Sequence, residues 1–104
     1  MERKFYSVEW EGLAPLIGDA LVAGMALLNS TAPMNEEERC ELKQGLAQLT
    51  GFLKKFYDLI AAKVKDEDLG GQMGASGDRL REEVQGFNEL MTRIATNIVK
   101  RASQ

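Results

Sequence analysis

The sequence predicts an all-α fold, a three-helix antiparallel bundle forming one domain over residues 1–104. Three observations carry that prediction. Two long segments repeat apolar residues at steps of three and four, a third is apolar on nearly every side, and two stretches rich in turn-forming residues separate them. At 104 residues, 44% hydrophobic and 28% charged, the chain suits one modest core and leaves no room for two.

The first segment is centred on LIGDALVAGMALL, Leu16–Leu28, with one charge in thirteen residues. Tyr6, Trp10, Leu13, Ile17, Ala20, Gly24 and Leu27 keep a rhythm of four and three, which predicts a helix over about 5–29, kinked near 15 where Pro15 lacks an N–H. The strict alternation in YSVEWE leaves a strand open as the alternative for residues 4–12. NSTAPMN, Asn29–Asn35, reads as a turn.

Asn35 followed by Glu36, Glu37 and Glu38 supplies an N-cap, a capping-box acid and carboxylates beside the positive helix end. This predicts a second helix over about 36–66, whose stripe is Leu42, Leu46, Leu49, Leu53, Phe56 and Ile60, widened by Phe52, Leu59 and Val64. LGGQMGASGD, Leu69–Asp78, has four glycines in ten positions and predicts a flexible loop over 67–77. The third helix is expected over about 78–101, with Leu80, Val84, Phe87, Met91, Ile94 and Ile98 on one face and Lys100 and Arg101 at the negative end. The last two helices match as an antiparallel hairpin, against which the first lies. All seven aromatics, Phe5, Tyr6, Trp10, Phe52, Phe56, Tyr57 and Phe87, are expected to gather at one end of the bundle.

Composition removes several function classes. The absence of histidine excludes Ser-His-Asp and Cys-His nucleophiles and His-ligated metals, and no cofactor is expected. The net charge is −3 with no strongly basic segment, so nucleic acid is not an expected partner. Cys40 is the single cysteine, so no intrachain disulfide forms; it reads as a small buried hydrophobe in a reducing compartment. The N-terminal MERKFYSVEWEG has no apolar run behind its charges, so a cytoplasmic location is expected. The Leu16–Leu28 run falls short of the ~20 apolar residues of a membrane span and holds Asp19, so no stable span is expected.

Glu37, Glu38 and Glu41 spell E-E-x-x-E, which resembles the metal-binding half-motif of the all-α MazG-type nucleotide pyrophosphohydrolases. The resemblance implies magnesium held by those three carboxylates. The family's second half, E-x-x-D on a following helix, has as its nearest equivalent Lys55 to Asp58, with lysine in place of the acid.

In a lone bundle each helix shows an arc to water, and that arc should be polar. The first helix has no such arc. Its outer positions are Gly18, Asp19, Val22, Ala23 and Ala26, small and nearly uncharged. An exposed apolar face of this kind marks an interaction site. The expected function is therefore a non-catalytic protein–protein interaction module, such as an adaptor, an assembly or secretion chaperone, or an inhibitor. It is expected to act as a homodimer and to bind a further protein partner. The predicted interface residues are Asp19, Val22, Ala23 and Ala26, with Trp10 as an anchor. The alternatives are a magnesium-dependent nucleotide hydrolase and transient membrane insertion by the first helix.

Overall fold

A computed structural model describes residues 12–74 and 76–103. Its described residues are all helical in class, with no strand. Four helices follow in order: α1 (Leu13–Leu28), α2 (Glu36–Ala61), α3 (Asp66–Met73) and α4 (Gly77–Ala102). The expectations for residues 4–12, including the places of Phe5, Tyr6 and Trp10, fall outside the described residues except at Gly12.

α1 begins after Gly12, which provides no side-chain cap. Pro15 falls in the first turn of the described helix, where a missing N–H deletes no bond within it; the expected continuation to about residue 5 lies outside the described residues. α1 ends at Asn29, whose N–H donates to the Met25 carbonyl at 2.9 Å. Ser30 Oγ donates to the Leu27 carbonyl at 2.7 Å and closes the turn.

α2 opens with the capping box read from the sequence: the Glu38 N–H donates to Asn35 Oδ1 at 2.8 Å, and the Asn35 N–H donates to Glu38 Oε1 at 3.1 Å. It stops at Ala61, short of the expected 66. Lys63 takes a left-handed backbone, φ 58°, and donates its N–H to the Ile60 carbonyl at 2.9 Å, while the Val64 N–H donates to the Leu59 carbonyl at 3.1 Å. This pair of bonds is a Schellman ending, and Val64, like Leu59 and Ile60, packs against a buried cluster that includes Leu13 and Phe56. Val64 keeps the helical apolar rhythm yet reaches the core from beyond the helix.

The segment expected as a flexible loop over 67–77 contains α3. Leu69 and Met73, one turn apart, are buried, and Gly74 in the left-handed region (φ 77°) terminates the helix. The described residues therefore form four helices, where three were expected. α4 is capped by Ser76, whose Oγ accepts from the Arg79 N–H at 3.2 Å, and it carries Lys100 and Arg101 in its last turn.

Two cores hold the elements together. The larger combines Ile17 and Ala20 of α1 with Leu42, Leu46 and Leu49 of α2 and Val84, Phe87 and Ile94 of α4. The smaller combines Leu13 of α1, Phe56 of α2, Leu69 and Met73 of α3, and Leu80 of α4. The start of α1 thus meets the end of α2 and the start of α4, so α1 and α4 run together and α2 runs against both. The described phenylalanines are divided between the two cores, with Phe52 packed against both. Phe56 and Tyr57 are ring neighbours at 6.0 Å, but Phe87 belongs to the other core, where small residues let its ring approach the backbones of α1 and α2.

Candidate interaction face

The inward stripe of α1 is Leu13, Ile17, Ala20 and Gly24, all buried. Turning the helix by half a revolution brings up Asp19, Val22, Ala23 and Ala26, all exposed, so the four described candidates share the face directed away from the core. Val22 is 70% exposed, and Met25 and Leu16 add 54% and 44%. Asp19 is the face's only charge. Trp10, the remaining candidate, lies outside the described residues.

Leu16 and Met25, which do not stand out in the sequence, flank this surface on opposite edges, half a helical revolution apart. Met25 shares a helical side with Leu21 and Leu28, yet those two are half-buried against the core while Met25 turns past its edge. Their signal is present in the nearly uncharged run itself, where Leu16 stands three residues from Asp19 and Met25 three from Val22.

The acidic cluster has a different environment. Glu38 is buried (5% exposed), and its carboxylate receives Arg101 Nη2 at 2.7 Å and Nη1 at 3.4 Å, with Asn97 Nδ2 at 3.3 Å. Arg101 Nη2 also donates to the Pro33 carbonyl at 2.7 Å, tying the α1–α2 turn to the end of α4. The Arg101 guanidinium holds the Glu38 carboxyl below its ordinary pKa against the opposing pull of burial, helped by the Asn35 N–H and the Asn97 amide. Glu41 receives Arg93 Nη2 at 2.6 Å. Two of the three carboxylates of E-E-x-x-E thus bind arginines of α4, and Glu37 alone points to solvent without a described role. Among the described residues no group of three His, Cys, Asp or Glu side chains gathers where a metal ion would fit.

Cys40, read as a buried hydrophobe, is exposed on α2. Its neighbour Leu42 takes the inward direction, and a step of two residues on a helix turns Cys40 well away from it. No helix among the described residues is long and apolar enough to cross a membrane. Comparison of the chain with models of protein families, with curated proteins and with solved structures finds no match in any of the three.

Proposed function

We propose that the chain is a non-catalytic protein-interaction module that pairs with a second copy of itself through the outer face of α1, leaving its other surfaces to a protein partner. The observation that supports this reading is the exposure of Val22, Ala23 and Ala26 on the outer face of α1, whose only charge is Asp19, with exposed Leu16 and Met25 at its two opposite edges. Water gains nothing from such a face, and burying it against an equally apolar surface is favourable at ~25 cal/mol per Å².

A second copy suits the face because the surface complements itself. In an antiparallel twofold pairing centred on Val22, each Asp19 stands opposite the other chain's Met25. The two carboxylates then lie ~9 Å apart along the helix axes at 1.5 Å per residue, without a like-charge contact. Gly18, Ala23 and Ala26 allow close approach of the two backbones. α1 has 16 residues and is ~24 Å long, which presents less than the ~800 Å² per partner of a standard interface. The dimer is accordingly expected in the micromolar range.

Sedimentation velocity over a micromolar concentration series tests this. The wild-type chain is expected to pass from monomer to dimer, and Ala23→Arg to remain monomeric with unchanged helical circular dichroism. A wild-type chain monomeric throughout, or an Ala23→Arg variant that still pairs, removes the proposal.

A further inference from the structure

A second surface lies between α2 and α4, and no residue of α1 lines it. It is a groove of about 290 Å³. Leu49, Phe87 and Leu90 form its apolar floor, and Glu82, Glu83 and Gln48 stand at its rim. Gln48 Nε2 donates to Glu83 Oε2 at 3.4 Å, a long bond between exposed groups. Among the described residues no lysine or arginine lines the groove. Arg93, seven residues along α4 from Gly86, has its guanidinium held by Glu41.

Gly86 keeps the groove open. A Cβ built there meets nothing within 4 Å, so the packing of the chain does not require glycine at this interior helix position, where glycine costs ~1 kcal/mol relative to alanine. The lost side chain leaves room directly above the α4 backbone, between the two glutamates and Leu90.

From this combination we infer that the groove is the seat of a lysine or arginine carried on a helix of a partner protein, its methylene stem lying along Leu49, Phe87 and Leu90 and its cationic head reaching Glu82 and Glu83. The chemistry is that of a long basic side chain, which buries an apolar stem while its charge stays at the rim. The volume is just under the ~300 Å³ at which small-molecule pockets begin, so it suits one anchor side chain and not a cofactor.

The probes are 4-phenylbutylamine and 4-phenylbutyrate, which share an apolar body and differ in the sign of the charge, titrated into the ¹⁵N-labelled full chain and followed by amide chemical shifts. The amine is expected to shift Gly45, Leu49, Gly86 and Phe87 with saturation and to bind roughly tenfold more tightly than the carboxylate, since two rim acids each contribute modestly at an exposed site. Glu82→Gln with Glu83→Gln is expected to erase that difference. Gly86→Leu, whose Cβ meets nothing within 4 Å, is expected to keep the dispersed spectrum and abolish binding of both probes. Equal binding of the two probes, amine shifts confined to α1, or no saturable shift at the groove would overturn the inference. Each outcome can be read whether or not α1 pairs, because the groove and that face share no residue.

Discussion

At the scale of single residues, Phe87 sits where three helices converge only because two of its neighbours have no side chain. A Cβ at Gly45 would lie 2.6 Å from ring atoms Cδ1 and Cε1, and one at Gly24 would lie 2.7 Å from Cζ and 2.8 Å from Leu46 Cδ2. Carbon atoms pack at ~3.5–4.0 Å, so either alanine would force a buried ring to move in a filled core. Gly45→Ala is expected to destabilise the fold by about 1–2 kcal/mol net, the overpacking strain exceeding the gain in helix propensity. Gly51→Ala meets nothing within 4 Å and is expected to stabilise by about 0.5–1 kcal/mol. Opposite signs in urea unfolding check the pair. Glu38 supplies a pH-dependent counterpart. Its folded pKa is depressed, first by Arg101. Its contribution is therefore complete above the ordinary glutamate value of ~4.3 and disappears as pH falls through the lower folded value. The wild-type urea midpoint should fall on acidification through that window. Glu38→Gln should lower the unfolding free energy by about 1–2 kcal/mol at neutral pH, a moderate figure because Arg101 is partly solvated, and should flatten the acid dependence. An unchanged acid slope in Glu38→Gln would assign the acid loss to other carboxylates.

At the scale of elements, the class and the main buried stripes were legible because long amphipathic helices repeat the same signal over many turns. Leu42, Leu46 and Leu49 in α2 and Leu80, Val84 and Phe87 in α4 each fall on the apolar rhythm and in the core. α3 was not legible for the converse reason. Eight residues give two apolar positions, Leu69 and Met73, and the glycines around them carry a stronger local signal for a loop than two residues carry for a helix. What fixes α3 is tertiary: both side chains are sealed against Leu13, Phe56 and Leu80. The end of α2 escaped notice because its terminator is lysine. Lys63 occupies the left-handed position that glycine usually fills, while Gly74 ends α3 at the equivalent place. An L-residue there costs ~1–2 kcal/mol, so Lys63→Gly should raise stability by about 0.5–1 kcal/mol after its larger unfolded-state entropy is subtracted. Thermal unfolding of that variant, with Lys63→Ala as the control that keeps the strain, checks the Schellman geometry.

At the scale of the molecule, α1 is the element whose chemistry does not match its surroundings in a single chain. Its inner side fits between α2 and α4, and that part of the pattern could be read from Leu13, Ile17, Ala20 and Gly24 alone. The outer side was readable as uncharged, but the extent of its exposure depends on where neighbouring helices stop covering it, which is why Leu16 and Met25 became evident only in three dimensions. If two copies share this face, folding and pairing are linked and stability must depend on protomer concentration. A hundredfold rise in concentration adds about 2.7 kcal/mol per dimer, or half that per chain. For a domain of this size that corresponds to a Tm increase of about 5–10 °C once the concentration exceeds Kd. Differential scanning calorimetry at low and high micromolar concentration should therefore show a rising Tm for the wild type. Ala23→Arg should give one Tm at both concentrations, equal to the wild-type value at high dilution, because an arginine on the exposed side of α1 leaves both cores untouched. A wild-type Tm indifferent to concentration would mean that Leu16, Val22 and Met25 face water in the working state, and the pairing proposed for α1 would fall.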